Sequence, residues 1–286
     1  VQAPTRLVRP WNILIGRAAP GECIEYDPSK PAIVHLIPRF HPSPSSSSLP
    51  RREPLQIPID SCFVCHYANG FEDPETGEVK FDMIKLPSLK LGDMQGSSPV
   101  WETVDYANYV PVSKLTRYTV DPVTESWSYE TISHRAVDFP SISKKVSARP
   151  HRYVYCSTGC SATESRPAHG VMKVDTSQER AHTLWIPRPH EFLSEVVFTS
   201  REGSEETSPE DDGYLTAFLF DGNDMSSDLV VFDASNITKG PIARLPMKNF
   251  VPYGLHGTFA EGLVPTHEDV TRAESMMEGG KGISGV

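Results

Sequence analysis

Four short segments of the chain combine histidines and carboxylates in surroundings that suit a metal site. The candidate metal ligands are His66 in the first segment and His256 in the fourth, and the carboxylates that could support them are Asp138 in the second and Glu195 in the third. A neutral imidazole binds a transition metal through one nitrogen, and a carboxylate on its other nitrogen fixes the tautomer and the direction of the ring. The segments are Cys65–Asp73, Val137–Ile142 with Arg149–Tyr155, Leu193–Phe198 with Glu210–Tyr214, and Val251–Phe259.

His256 shows how much a single residue can indicate about a metal site. It lies between Gly254 and Gly257, where a backbone can approach closely, and Tyr253 and Phe259 are expected to help bury it. A buried imidazole needs a partner for each ring nitrogen, and a metal with a carboxylate would supply both. An ordinary hydrogen-bonded core histidine fits the same segment, so this residue alone leaves both interpretations open.

Other clusters also permit a site, and each has a simpler explanation. Cys62 and Cys65, with Cys156 and Cys160, are two halves of a possible zinc site or ordinary buried thiols in strands. The acidic segment 210–213 is either a calcium loop or a turn into the next strand, and it lacks the ligand spacing of an EF-hand. The basic group Arg149, His151 and Arg152 is expected to be a solvated strand end.

The elements that must position these residues are predominantly β-strands. The 26 prolines and 19 glycines favour short strands and turns over long helices. Two alternating runs, 115–120 and 127–132, flank the turn at Asp121 and predict a hairpin, and similar short runs recur up to residue 232. Near the N-terminus we predict a strand over 11–15 and a second over 32–37, and a short helix over 100–109. A Ser/Pro-rich loop over 42–50 and a polar tail over 265–286 are expected to be flexible.

Composition excludes several function classes. A formal charge of −10 repels phosphate backbones, so nucleic acid is not an expected partner. No apolar run reaches the roughly 20 residues that span a bilayer, and no signal peptide is visible. Five cysteines without a secretory signal indicate a reducing compartment, and we expect an intracellular protein of the cytoplasm or a plastid.

Taken in order, the four segments resemble the carotenoid cleavage oxygenase family, which includes carotenoid dioxygenases, stilbene-cleaving enzymes and the retinoid isomerase of the eye. The resemblance runs from about Ala32, in a strand ending in Pro38-Arg39, to Phe259. It implies a seven-bladed β-propeller with Fe(II) held on its axis by four histidines. His66 matches the third of these histidines and His256 the fourth, while Glu195 matches the glutamate that supports the fourth.

Two departures from the family pattern stand out. Asp138 occupies the position of the glutamate that supports the third histidine, and it is one methylene shorter. We expect it to reach His66 through a small backbone shift or to leave a longer and weaker contact. The family's first two iron histidines lie before the matched region, and neither His35 nor His41 sits in a matching motif. The absent initiator Met is also typical of a chain that begins part-way through a longer protein.

The sequence therefore predicts an all-β fold that is part of a seven-bladed β-propeller with its N-terminal blades missing, over residues 1–264. The implied activity is Fe(II)-dependent cleavage by dioxygen of a conjugated C=C bond in a carotenoid or apocarotenoid, giving carbonyl products. Stilbenes are a second substrate class, and peripheral membrane contact is an expected property. The metal ligands are His66 and His256, oriented by Asp138 and Glu195; Phe139, Tyr253 and Phe259 are expected to pack near them. The alternative is a truncated, catalytically inactive propeller fragment or binding protein that lacks two of the four iron histidines.

Overall fold

Antiparallel strands form nearly all the regular structure in the computed structural model. It describes residues 1–18, 23–38, 53–89, 106–178, 181–249, 251–254, 256–260, 262–264, 266–268 and 271–272. The strands are β1 (Thr5–Leu7), β2 (Ile24–Tyr26), β3 (Ala32–Leu36), β4 (Leu55–Ile59), β5 (Phe63–Glu72), β6 (Val79–Leu86), β7 (Lys114–Val120), β8 (Trp127–Thr131), β9 (Val137–Ser141), β10 (Tyr153–Thr158), β11 (Gly170–Asp175), β12 (His182–Trp185), β13 (Glu191–Leu193), β14 (Val197–Ser200), β15 (Gly213–Asp221), β16 (Ser226–Asp233) and β17 (Ala243–Pro246). Two short helices are α1 (Pro10–Leu14) and α2 (Tyr106–Tyr109), and 3-10 turns cover Lys144–Val146 and Ile237–Lys239.

Three consecutive sheets are built as meanders, each from strands that follow one another in the chain. The first blade pairs β5, β6, β7 and β8, and the second pairs β9, β10, β11 and β12. The third blade has the order β13, β15, β16, β17, and β14 also pairs with β15. Strands β1 with β2 and β3 with β4 form two smaller ribbons ahead of these blades. Successive four-stranded meanders are the building unit of a β-propeller.

The hydrophobic cores lie between neighbouring sheets. One cluster joins the ribbon of β3 and β4 to the first blade, with Ile57 packed near Met83 and Tyr118. A second joins the first and second blades, and a third joins the second and third blades. Because each core needs side chains from two sheets, a blade cannot bury its apolar faces alone. Truncating a fully buried member such as Met172 to Ala should cost about 2–5 kcal/mol.

Local sequence explains most of the strand and turn boundaries. The predicted hairpin is confirmed as β7 and β8, and the turn between them is held by the Asp121 carboxylate, which accepts from the backbone N–H of Val123 and Thr124. The predicted strand over 32–37 is confirmed as β3. The predicted strand over 11–15 is wrong: this segment is helix α1, with Pro10 in its first turn, where a missing N–H has no cost. The loop over 42–50 lies outside the described residues, and so does most of the tail.

None of the helices in the described ranges is both long and apolar enough to cross a lipid bilayer.

Candidate metal centre

His66 lies on β5, the first strand of the first blade, at a point where the strand carries one extra residue. Val64 and Tyr67 are three residues apart, while their partners Lys85 and Met83 on β6 are only two apart. Cys65 and His66 fill this bulge. A β-bulge bends the strand and redirects a side chain, and bulges are common next to functional sites.

Asp138 lies beside a second bulge, on β9 of the second blade. Asp138 and Ser141 are three residues apart, while their partners on β10 are two apart. Phe139, which follows Asp138, has a φ of +50°, a left-handed conformation that is uncommon for a large side chain. The Asp138 carboxylate accepts the N–H of Phe139 at 2.8 Å and the Nδ1–H of His66 at 2.6 Å. The shorter aspartate therefore reaches His66 in full, the first of the two outcomes expected for it.

The hydrogen bond between Asp138 and His66 changes the acidity of the ring. It raises the pKa of His66 above its ordinary value, and partial burial opposes this only in part. With Nδ1–H donated to a carboxylate, the lone pair that remains for a metal is on Nε2.

Glu195 lies at a third irregularity, in the gap between β13 and β14. Leu193 and Val197 are four residues apart, while their partners on β15 are three apart. The neighbouring Ser194 fills the gap in the ladder, because its N–H donates to Phe218 O and its hydroxyl accepts the Phe218 N–H. Each of the three blades therefore carries its candidate site residue at or beside one extra residue in its first strand.

His256 comes from the irregular C-terminal segment and meets Glu195. Its Nδ1 lies 3.3 Å from Oε2 of Glu195, and the same oxygen accepts the N–H of Gly257 at 2.8 Å. Its side chain is 55% exposed, so the expected burial is wrong. The neighbouring Tyr253 and Phe259 are also exposed. A Cβ added at Gly254 or Gly257 would meet no crowded neighbour, so close backbone approach does not explain these glycines.

The two histidines converge although 190 residues separate them in the chain. Their ring centroids are 5.2 Å apart in an edge-to-face arrangement. Phe139 packs against both, at 5.0 Å from His66 and 5.4 Å from His256. Two imidazoles with carboxylates on their Nδ1 atoms thus lie side by side, one held between blades and one on the C-terminal segment.

An apolar cavity of about 250 Å³ opens beside this pair. Glu195 and His256 line it together with three hydroxyl residues, and its apolar walls include Val197, Ala217, Phe218, Leu229 and Phe259. Such a lining suits an apolar ligand that needs few hydrogen bonds.

Comparison with known proteins agrees with this arrangement. The family model described as "Retinal pigment epithelial membrane protein" (RPE65) matches residues 2–261. The apocarotenoid-15,15'-oxygenase of Synechocystis sp. is 33% identical over 248 residues, which cover 87% of this chain and 46% of that protein. The chain belongs to the carotenoid cleavage oxygenase family.

Two further comparisons define the extent of the match within this family. The carotenoid 9,10(9',10')-cleavage dioxygenase 1 of Phaseolus vulgaris is 30% identical over 211 residues, covering 70% of this chain and 37% of that protein. The crystal structure of the cobalt-substituted Synechocystis oxygenase superposes with a TM-score of 0.76 at 32% identity, covering 90% of this chain and 49% of that one. The chain thus spans under half the length of these relatives, and its fold as part of a β-propeller is confirmed.

The donor set fits half of a four-histidine iron site of the carotenoid cleavage oxygenase family. Two imidazoles with Nε2 available are suitable ligands for a divalent transition metal. Within the described ranges, no group of three or more His, Cys, Asp or Glu side chains is arranged to hold a metal ion. His35 lies with its Nε2 2.8 Å from Gln2 Oε1, and His41 lies outside the described residues. The roles of His66, His256, Asp138 and Glu195 at a metal remain predictions.

The cysteines do not form a zinc site. All five thiols are free; Cys62 and Cys156 are buried, while Cys65 and Cys160 are exposed. Burial and the nearby Asp60 carboxylate raise the pKa of Cys62 to about 11, and burial also raises that of Cys156. Among the residues that the structure describes, no group of three or more potential ligands gathers around these thiols.

The acidic segment serves as a set of structural anchors. The Glu210 carboxylate accepts the backbone N–H of Arg152 and Tyr153. Asp211 pairs with Lys173 at 2.6 Å and Asp212 with Arg201 at 2.8 Å. These partners explain the segment as a turn that ties the third blade to the second, in agreement with the turn interpretation.

The expectation of a solvated basic group is wrong for one of its members. Arg149 and Arg152 are exposed and pair with Glu206 and Asp175. The side chain of His151 is fully buried, and its Nε2 lies 2.8 Å from Asp82 Oδ2. Sequence reasoning missed this pair; the signal was Asp82 itself, a carboxylate in the apolar run of β6 that has to find a cationic partner.

Proposed function

We propose that this chain supplies half of the iron centre of an oxygenase that cleaves a conjugated C=C bond of a carotenoid or apocarotenoid, giving two carbonyl products. The observation that carries the proposal is the convergence of His66 and His256, each with a carboxylate on Nδ1. The names of the relatives in Synechocystis sp. and Phaseolus vulgaris support the substrate class, and a stilbene is the second class to test. When bound, Fe(II) would supply the activation of dioxygen that bond cleavage needs.

The protein residues contribute orientation and surroundings. Asp138 and Glu195 accept from the Nδ1 atoms, which selects the tautomer that offers Nε2 to the metal. Phe139 packs against both rings, and the apolar cavity beside Glu195 offers a place for part of a polyene. These residues bind and orient; none of them needs to transfer a proton in this scheme.

Metal loading of the purified 286-residue chain tests the proposal. Co(II) is a suitable probe, because a cobalt-substituted relative has been crystallised. We expect His66→Ala and His256→Ala each to abolish the bound Co(II) measured by anaerobic dialysis and metal analysis. His190→Ala is the matched control, since His190 also faces a carboxylate, with its Nε2 3.4 Å from Asp221 Oδ2 on the third blade. Equal metal content in all four proteins would refute the assigned site.

The competing function is a catalytically inactive propeller fragment or binding protein. It is favoured by the finding that, within the described ranges, no third ligand joins the two histidines. An assay of apocarotenoid cleavage, read by the appearance of carbonyl products, separates the two functions. Cleavage that depends on His256 supports the oxygenase; a folded chain that holds neither metal nor activity supports the inactive protein.

We also propose peripheral contact with a membrane through an N-terminal apolar patch, Leu7, Trp11, Leu14 and Ile15. All four side chains are more than half exposed, and α1 has no buried residue. Arg9 and Arg17 lie within the same segment of an otherwise acidic protein. Tryptophan with aliphatic side chains and arginine is typical of a surface that enters a lipid interface.

Vesicle flotation tests the membrane contact. We expect binding to vesicles that contain anionic lipid, reduced by the double variant Trp11→Ser with Leu14→Ser. Val123→Ser is the control, because Val123 is 88% exposed in a turn outside the patch. Undiminished flotation of the double variant would exclude the patch. The five unpaired thiols support our further proposal of a reducing, intracellular compartment.

A further inference from the structure

A second cluster of polar side chains lies buried at the seam between the first and second blades. Asn69, Asp82 and Arg117 occupy paired positions on β5, β6 and β7, and thus form a row across the first blade. His151, from the segment that leads into β10 of the second blade, packs against this row. The side chains of His151 and Asp82 are fully buried. We call these four residues the seam cluster.

The Asn69 side chain hydrogen-bonds to the backbone of the segment that precedes β10 in the second blade. Its Oδ1 accepts the Ala148 N–H at 2.9 Å, which fixes the orientation of the amide, because a backbone N–H can only donate. Its Nδ2 donates to the carbonyl oxygens of Val146 and Arg149, both at 2.9 Å. Ala148 has a φ of +59°, so the segment holds a left-handed residue at the point where Asn69 binds it.

The same amide orients His151. Nδ2 of Asn69 also lies 3.1 Å from Nδ1 of His151. Its two N–H groups already donate to carbonyl oxygens, so this contact shares one of those hydrogens, and because an amide nitrogen cannot accept, a neutral His151 ring carries its proton on Nε2. That Nε2 lies 2.8 Å from Asp82 Oδ2, a close contact that departs from the geometry of a linear hydrogen bond. The edge of Phe71 meets the ring, with centroids 5.8 Å apart.

Arg117 completes the electrostatic balance of the seam cluster. Its guanidinium donates two parallel hydrogen bonds to Asp82, each 2.7 Å long. Burial by itself would raise the pKa of Asp82, but His151 and Arg117 together hold the pKa below its ordinary value. A buried ionised group of this kind is strongly destabilising once a partner is removed.

The seam cluster and the candidate metal centre span the same two blades. The hydrogen bond from His66 to Asp138 joins β5 to β9, and Asn69 is on β5, three residues after His66. The segment that Asn69 and Asp82 hold follows β9 directly along the chain. The hydrophobic effect that stabilises the apolar core between these blades is non-directional. The polar contacts of the seam cluster are directional and fix one arrangement.

We propose that the seam cluster is a positioning device that sets the second blade against the first, so that Asp138 meets His66. Asn69 and His151 are then positioning residues that touch neither metal nor substrate. The effect on His66 follows from the fold alone, whereas the consequence for a bound metal rests on the proposed function.

Proton NMR of the metal-free, 286-residue chain tests the positioning directly. The short hydrogen bond between His66 and Asp138 should give a downfield Nδ1–H resonance, assigned by its loss in His66→Gln. We expect His151→Ala to abolish this resonance although both bonded residues are unchanged. His151→Gln, which keeps an acceptor for Asn69 and a donor for Asp82, should restore it. Asn69→Ser gives the same test where His151→Ala yields too little folded protein.

Tyr118→Phe is the matched control for a general loss of stability. Tyr118 is fully buried on β7 of the same blade, and its hydroxyl donates to Asp60 at 2.5 Å, outside the seam cluster. The resonance should persist in this variant.

In Co(II) titrations, His151→Ala should weaken binding about tenfold and Tyr118→Phe should not. A parent chain that binds no Co(II) would refute the metal proposal only, because the NMR comparison still decides the positioning role. A resonance that survives in folded His151→Ala, or is lost equally in Tyr118→Phe, would overturn the inference.

Discussion

The two halves of the candidate metal centre are held in different ways. His66 and Asp138 lie on the first strands of two adjacent blades, their side chains are 2.6 Å apart, and the His66 side chain is 24% exposed. His256 and Glu195 are 3.3 Å apart, and His256 lies on a segment without regular secondary structure, with 55% of its side chain exposed. The first half is therefore built by the sheets, and in the second half a carboxylate from a sheet meets a histidine on an irregular segment.

This difference shows where rigidity comes from in an open set of blades. Bulges in β5 and β9 direct His66 and Asp138 toward each other, and the sheets on both sides keep the bulges in place. Glu195 has a similar place in the third blade, but its partner His256 lies outside any strand, on a segment joined to the blades by side-chain hydrogen bonds from Ser227 to Val251 and from Tyr253 to Ala168. We infer that the first half is the better preorganised of the two for a metal.

The largest effect is expected from Asp138→Ala. The change removes the acceptor for both His66 and the Phe139 N–H, so the ring and the bulge lose their common anchor. Co(II) affinity should fall by about 100-fold, at the upper end for the loss of a carboxylate behind a ligating histidine. Isothermal titration under anaerobic conditions measures it.

Asp175→Ala is the control for Asp138→Ala. It removes an ion pair with Arg152 from the same blade, away from the histidines, and should leave Co(II) affinity unchanged. Equal losses in the two variants would mean that the blade, and not the contact with His66, determines the affinity.

A smaller effect is expected from Glu195→Ala, about tenfold in Co(II) affinity. The contact with His256 is longer and more exposed, so less orientation is lost. The Gly257 N–H also loses its acceptor, and hydrogen exchange of the segment 251–258 should become faster. A loss as large as that of Asp138→Ala would show that the two halves are equally preorganised.

The sequence was enough to predict many strands and the two histidine–carboxylate pairs, but not the backbone geometry that brings each pair together. Alternation with turn residues was enough to place β3, β7 and β8, although the outer strand β8 has no buried residue. The contacts of His66 with Asp138 and of His256 with Glu195 followed from family motifs, since residues 72 and 61 positions apart have no local signal. The metal itself stays a prediction.

Tertiary interactions explain what the sequence could not reveal. The left-handed backbone at Phe139 belongs to a non-glycine residue, and no residue type there announces it. The apolar residues Trp11 and Leu14 resemble a strand, but Pro10 and the absence of a paired strand give a helix. His151 looked solvated among arginines, and only the partner Asp82, 69 residues earlier, makes it a buried residue.

The contribution of the His66–Asp138 pair to the stability of the metal-free chain should depend on pH. The folded-state pKa of His66 is raised, chiefly by its hydrogen bond to Asp138. The pair therefore stabilises the fold fully below the unfolded pKa of about 6.5, while Asp138 is ionised, and this contribution is lost as pH rises through the folded-state pKa. The difference in unfolding free energy between the parent and Asp138→Asn should be larger at pH 5.5 than at pH 8.5, as measured by urea denaturation. For Tyr118→Phe, the difference in unfolding free energy from the parent should be the same at both pH values. A difference for Asp138→Asn that does not change with pH would contradict the raised pKa of His66.

The smallest effect is expected from Asp138→Glu, which restores the residue type that the family pattern has at this position. The aspartate already makes a 2.6 Å contact, because the β9 bulge and the left-handed Phe139 bring the carboxylate to the ring. An added methylene has no gap to fill, and the longer side chain loses the short bond to the Phe139 N–H. Co(II) affinity should stay within a factor of about three, which is less than about 0.7 kcal/mol. A gain of tenfold or more in Co(II) affinity would mean that the aspartate is too short to orient His66 well. The pair of His66 and Asp138 would then be less well ordered than its contact distance indicates.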